Sequence, residues 1–315
     1  MIAIFTLQLG MVAGALLWLA LTKAPNRIWA IVITGACALV CVGAAAVGIW
    51  IYPPLWLFGA LATGVLAAIA LRAWRRAGSA HAHEPAQTLL RWLGAPVWFI
   101  VGGALIWQGI IGRAPPSTDF VNLAPPLRGG GYCAISGGAS PLLNFHMETL
   151  AAGKEAYRGQ SYGVDFIAVS RLGFRTHPAY MLQPAPRAVS AYRIFGAEVF
   201  SPCNGEVIVA HDGMADQPAG EPNLSLMAGN HVVVRCDGHD VLLAHLRHGS
   251  VAVSAGQRIE MGVRLGEVGN TGATDEPHLH VSVQRAVNPQ PDFSGEPVHV
   301  MFSGRFLARG ACLPD

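Results

Sequence analysis

Charge is what this chain has least of. Only 13% of its 315 residues are Asp, Glu, Lys or Arg, while 52% are hydrophobic, and the mean hydropathy is +0.40. An entirely water-exposed protein is excluded, and part of the chain is assigned to lipid. Acidic side chains are nearly missing from the first third. Residues 1–113 hold Glu84 alone against seven Lys or Arg, a net of +6, whereas residues 114–315 hold 18 Asp or Glu against 14 Lys or Arg, a net of −4. The surplus of positive charge therefore lies in the apolar part, and the second part offers no basic face for nucleic acid. Tryptophan is absent after Trp107, which leaves few aromatic platforms for a sugar. No Asp, Glu, Lys or Arg lies in the interior of the apolar runs, so a proton relay or ion path through them is excluded and they are read as an anchor.

Four apolar runs are present, near Ile2–Thr22, Ile28–Tyr52, Leu55–Leu71 and Ala95–Gly112. Spanning a bilayer takes about 20 apolar residues, and the expectation is a bundle of four transmembrane helices over residues 1–113. Gly and Ala are frequent in it, which suits close helix packing. The first run lacks a positive flank and is followed by further apolar runs, unlike a cleavable signal. Lys23 and Arg27 follow the first run, the turn at Tyr52-Pro53-Pro54 carries no charge, and Arg72, Arg75, Arg76 and Arg91 follow the third. The positive-inside rule places those two basic connections in the cytoplasm and everything after Gly112 outside; the lone Arg113 opposes this weakly.

Residues 114–131, with Pro115-Pro116 and Gly129-Gly130-Gly131, read as a tether. The remaining 132–315 reads as all-β, of sandwich or barrel type. Short β-prone runs recur at Tyr162–Val169, Glu206–Ala210, His231–Cys236, Val241–Leu246 and Leu279–Val283, with Asn204-Gly205, Asp237-Gly238 and Asn270-Thr271-Gly272 as turns. Segments 171–197 and 211–229 are expected as loops around a cleft. Cys37 and Cys41 lie in an apolar run. Cys133, Cys203, Cys236 and Cys312 lie in the polar half and can form one or two disulfides if that half is extracytoplasmic, in a pairing that the sequence does not specify.

Chemistry concentrates late in the chain. In Pro277-His-Leu-His280 two histidines at i and i+2 of a strand share a face, where either can reach a metal or a substrate. His245 sits in the apolar run Leu242-Leu-Ala-His-Leu246, and an imidazole there needs a polar partner. Asp165 sits in Tyr162-Gly-Val-Asp-Phe166, and a carboxylate in such a strand is rare unless paired or bound to metal.

Residues from about 140 to 285 resemble the lysostaphin/LytM-type zinc endopeptidases, a family of cell-wall hydrolases with a duplicated-hybrid-motif β fold. The stretches that carry the resemblance are Tyr162–Phe166, Phe195–Val207, Gly229–Val234, Leu243–Leu246, Val253–Gln257, Gly266–Gly272 and Pro277–His280. The resemblance implies one Zn2+ per chain, Asp165 and His280 as ligands, and His245 and His278 as catalytic histidines. It also implies a peptidoglycan peptide as substrate, with the catalytic domain outside a bacterial cytoplasmic membrane and its anchor in the lipid bilayer. The usual third ligand is a His four positions before the Asp, and here that position is Ser161. His146 is the expected substitute, with His177 and His211 as fallbacks. His231, His239, His248 and His299 are read as structural or solvated, and Tyr162 and Asn230 as possible borders of the cleft.

Two other classes compete. One is a catalytically inactive domain that binds the wall and activates another hydrolase, which the departure at Ser161 favours. The other is a membrane sensor with a sugar-binding β module, which leaves the His and Asp set without a role.

Overall fold

A computed structural model of the chain describes residues 2–50, 54–78, 84–117, 119–183, 185–286 and 293–314, with side chains from residue 6 onward. The chain divides into two compact units, Met1–Ile111 and Gly112–Asp315.

The first unit is helical: α1 (Ile2–Leu21), α2 (Arg27–Val47), α3 (Leu55–Arg75) and α4 (Pro85–Arg113). Among the described residues α2, α3 and α4 are long and apolar enough to cross a membrane, while the described apolar stretch of α1, Thr6–Leu21, is shorter. Among the described residues the expected four spanning helices are thereby corrected to three candidates, because Thr6–Leu21 falls short of the about 20 residues needed to cross the hydrocarbon. The charge-free turn at Tyr52 and Pro53 lies outside the described residues. Asn26 caps α2 by accepting a hydrogen bond from the Trp29 amide at 3.0 Å. The glycine content has a local cause. A Cβ on Gly43 would lie 2.6 Å from Leu105 Cβ, and one on Gly102 would lie 2.8 Å from Leu39 Cβ. Only glycine lets α2 and α4 approach this closely.

The second unit is built on one extensive sheet. Its strands are β1 (Phe120–Leu123), β2 (Tyr132–Ser136), β3 (Val164–Ala168), β4 (Glu198–Phe200), β5 (Gly205–His211), β6 (Asn230–Cys236), β7 (His239–Leu246), β8 (Arg258–Ile259), β9 (Arg264–Glu267), β10 (Leu279–Arg285), β11 (Pro297–Phe302) and β12 (Arg305–Phe306). The order β1-β11-β10-β7-β6-β5-β8 forms a curved half-barrel, with β3 pairing both β10 and β2, and β4-β9 forming a separate ribbon. β10 is the hub. Its first half pairs with β3 and its second half with β11, on the side away from β7. Strand alternation sends Leu279, Val281 and Val283 into the main core with Val232, Val234, Val241 and Leu243. His280, Ser282 and Gln284 then face the opposite side, where Val233, Leu242 and Ala244 form a second apolar floor.

The stretch read as a tether is partly built into this unit. β1 pairs in parallel with β11, and Leu123 and Leu127 are buried in the core. Asp237 and Gly238 both have positive φ, at 45° and 78°, and close the β6-β7 hairpin as the Asp-Gly pair predicts. Cys133 pairs with Cys312, and Cys203 with Cys236. Cys37 and Cys41 in α2 are free and buried. Thiol labelling of the unfolded, unreduced chain is expected to find two reactive cysteines, Cys37 and Cys41, and labelling of all six would refute the pairing.

His299 is structural. Its ring stacks on Tyr162 at 3.7 Å and lies 5.9 Å from Phe120, and burial pushes its pKa down to about 4. The unfolded imidazole protonates near 6.5, so between those values the unfolded chain binds the proton first. The stability due to neutral His299 is complete above pH 6.5 and is lost as pH falls toward about 4. His299→Phe is expected to flatten this limb in a melting-temperature profile against pH, and an unchanged limb would exclude His299 as its source.

Candidate metal centre and active site

Three elements bring the acidic and imidazole groups together. β3 supplies Asp165, and β10 supplies His278 just before its start and His280 within it. The register pairs Asp165 directly with His280 across the β3-β10 ladder. A 3-10 turn over Phe145–Leu150 supplies His146, held at its start by the Asn144 side chain, which accepts from the His146 amide at 3.1 Å.

The Asp165 carboxylate is the focus. His146 Nε2 lies 2.9 Å from both its oxygens. His280 Nδ1 lies 2.8 Å from Oδ1, and His278 Nε2 lies 3.7 Å from the same oxygen. Ligand atoms of His146, Asp165 and His280 all fall within 4.8 Å of one another and could hold a metal ion. Two imidazole nitrogens and one carboxylate oxygen are a donor set that suits zinc and leaves a fourth position open. The residues fit the ion that the sequence resemblance implies.

The electrostatics divide the histidines. Burial alone would raise the Asp165 carboxyl, but His146, His278 and His280 outweigh it and hold the group well below the usual carboxylate range. Burial works against protonation of His146, yet the charge and hydrogen bond of Asp165 prevail and raise its pKa. His280 is pushed down to about 4, chiefly by burial and by His146. His245 is pushed well below its ordinary value, first by burial and then by His278 and His280. At neutral pH His245 and His280 are thus uncharged and carry a free lone pair.

His245 and His278 sit side by side, ring centroids 4.6 Å apart. Each is held by a backbone carbonyl at Nδ1: His245 by Thr271 O at 2.8 Å, His278 by Glu276 O at 2.9 Å. A carbonyl only accepts, so Nδ1 carries the proton in both rings and Nε2 is the lone-pair nitrogen. His245, next to last in β7, has a positive φ of 64°, an uncommon state for a residue with a Cβ. Its amide donates to Ala228 O at 3.0 Å and its carbonyl accepts from the Gly269 amide at 2.9 Å, which fixes this backbone from both sides.

The five residues singled out in the sequence, His146, Asp165, His245, His278 and His280, occur together. The two fallbacks do not join them. His177 is exposed and precedes a short turn at Pro178–Tyr180, and His211 stacks on His231 at 5.5 Å. Ser161, in the family's usual ligand position, is buried and bonded to Thr149 Oγ1 and Arg158 O. Asn230 is fully buried and ties Met214 to Leu246, so it does not border an open cleft.

Sequence reasoning missed the loop that holds the two flanking histidines. Thr271 accepts from His245 and donates its hydroxyl to Leu246 O at 2.8 Å. Thr274 Oγ1 reaches Glu276 O at 2.7 Å and His278 Nδ1 at 3.1 Å. Glu276 forms an ion pair with Arg175 at 2.9 Å, both side chains 6% exposed. These residues lie in irregular segments, and no spacing rule links positions 175 and 276. A Cβ on Gly229 would lie 2.1 Å from Thr271 O, so this glycine is a packing requirement that the motif alone does not explain.

Comparison with known proteins places part of the strand-rich unit. Residues 190–291 match the model of Peptidase family M23. The chain is similar to the peptidoglycan DD-endopeptidase ShyA of Vibrio cholerae, to which it is 30% identical over 99 residues, 31% of this chain and 21% of that protein. The chain thus spans about a fifth of that relative's length. His245, His278 and His280 lie within the matched segment, and His146 and Asp165 precede it. Solved structures similar to the chain include a zinc-containing peptidase from Vibrio cholerae, at 24% identity, 48% and 30% coverage of the two chains and a TM-score of 0.26. The catalytic domain of lysostaphin from Staphylococcus simulans is similar at 19% identity, 41% and 69% coverage and a TM-score of 0.26.

Zinc titration calorimetry on the metal-stripped chain should find one site, weakened at least about tenfold in His146→Ala and unaffected in His177→Ala and His211→Ala. Unaltered affinity in His146→Ala would remove that residue from the ligand set.

Proposed function

We propose that the chain is a zinc endopeptidase that hydrolyses peptide bonds of bacterial peptidoglycan. The observation that carries this reading is the convergence of His146 Nε2 and His280 Nδ1 on the Asp165 carboxylate, with His245 and His278 alongside. The M23 match and the homology to ShyA support peptidase chemistry and a wall substrate.

Held by His146, Asp165 and His280, zinc would polarise the scissile carbonyl and make water at the site acidic enough to attack near neutral pH. The protein's own groups handle the protons. His245, kept neutral by burial and with its Nδ1 proton on Thr271 O, presents Nε2 as a base for the attacking water. His278, anchored at Nδ1 by Glu276 O, presents Nε2 beside Asp165, where once protonated it can donate to the developing oxyanion or the leaving amine. The Arg175–Glu276 pair and Thr274 keep that ring in place.

The reading extends to place. A helical membrane anchor within residues 1–113, the segment 114–131 and the peptidase unit 132–315 outside the cytoplasmic membrane agree with the Lys/Arg distribution. Two disulfides in the strand-rich unit and free thiols in the helical one suit an oxidising exterior.

Purified chain with zinc, incubated with isolated sacculi, should release muropeptides detectable by mass spectrometry, and a chelator should stop the release. His245→Ala should lower the rate about 10²–10⁴-fold while zinc binding persists, and His280→Ala should abolish both. A chain that binds zinc and wall but releases nothing under any of these conditions would instead be a non-catalytic activator of another hydrolase.

A further inference from the structure

The helical unit contains a cavity of about 750 Å3 where α1 and α3 end. Its lining is partly apolar, with Leu19, Ile69 and Ala73 among the residues, and includes the four cations Lys23, Arg72, Arg75 and Arg76. All four cations are exposed. α3 stops at Arg75 and the chain turns back through Gly78, which adopts φ +88°. The Gly78 amide donates to Ala24 O at 3.0 Å, tying the two segments that bound the cavity. Two further cations are engaged nearby. The Arg27 guanidinium lies over Trp74 at 5.1 Å, and Arg91 Nη1 donates to Lys23 O at 2.8 Å.

The unit's single carboxylate side chain is Glu84, so the helical unit by itself cannot neutralise four positive groups on one cavity. Setting topology requires positive residues near a helix end and does not require them to surround a half-apolar hollow. Guanidinium forks match phosphate oxygens in pairs, and the apolar part of the lining matches glycerol and the first methylenes of an acyl chain. We propose that this cavity is a binding site for an anionic phospholipid, with the headgroup phosphate among Arg72, Arg75, Arg76 and Lys23. The inference rests on the reading of this unit as membrane-embedded with this end at the cytoplasmic face, and it is independent of the peptidase chemistry.

The test uses the full chain in nanodiscs of phosphatidylcholine, with or without phosphatidylglycerol. Native mass spectrometry after transfer to detergent should show one phosphatidylglycerol retained per chain in preference to phosphatidylcholine, together with a raised melting temperature. Basic groups near anionic lipid each contribute about fivefold in affinity. Replacing three, in Arg72→Gln/Arg75→Gln/Arg76→Gln, should therefore weaken retention on the order of a hundredfold. Because loss of charge also disturbs insertion, Ala73→Phe provides a second arm, filling the hollow with every charge kept. It should lose the lipid as well. Equal retention of both lipids, or full retention in Ala73→Phe, would overturn the site. Equal stabilisation by inorganic phosphate would reduce it to a general anion patch and overturn the lipid assignment. Failure of the chain to enter any bilayer would instead sink the membrane reading on which the inference rests.

Discussion

One buried carboxylate organises the strand-rich unit. An ionised Asp taken out of water costs several kcal/mol unless hydrogen bonds or cations replace its hydration. Asp165 meets that requirement with two imidazoles within 2.9 Å and a third at 3.7 Å. The backbone makes this possible, since the β3-β10 ladder sets residue 165 opposite residue 280. A slip of β3 by one residue would turn Asp165 toward the core face and leave an unpaired charge beside Leu279 and Val281. Register, burial and chemistry are thus one constraint.

The flanking histidines follow another principle. Neither touches Asp165 closely enough to be positioned by it, and each is oriented through Nδ1 by the carbonyl of an irregular segment. That segment is fastened in turn by Thr271, Thr274 and the Arg175–Glu276 pair. A loop is a suitable place for such donors and acceptors because its backbone groups are not consumed by a ladder. The left-handed backbone of His245 reflects the same arrangement, where strand geometry yields so that one ring can face its partner.

Legibility in the sequence followed locality. β3, β5, β6, β7 and β10 could be read because each is a β-branched or aliphatic run with turn residues such as Gly, Asn, Asp or Pro near at least one end. β1, β2, β11 and β12 could not, since β1 hides behind Pro and Gly and gains its order from parallel pairing with a strand more than 170 residues later. The His278 and His280 pair shows in the alternation of one strand. His146 does not, because its approach to Asp165 depends on how 18 intervening residues coil into two 3-10 turns, and only the family resemblance pointed to it. The apolar runs announced helices reliably but their number of crossings less so, because length and hydropathy bear on each helix separately. The cysteine pairing is a property of the closed sheet and has no local signature.

The Cys133–Cys312 bond joins β2 to the last residues of the chain, 179 positions apart, and Cys203–Cys236 closes a smaller loop inside it. Everything from 133 to 312 is therefore a covalent ring with a second ring nested within. A single backbone cut at the exposed Arg171-Leu172 or Pro222–Ser225 opens the polymer without dividing it. Both fragments stay bound through sulfur, and the sheet can hold its register while they do. Nicking there becomes an internal scar in place of dismemberment.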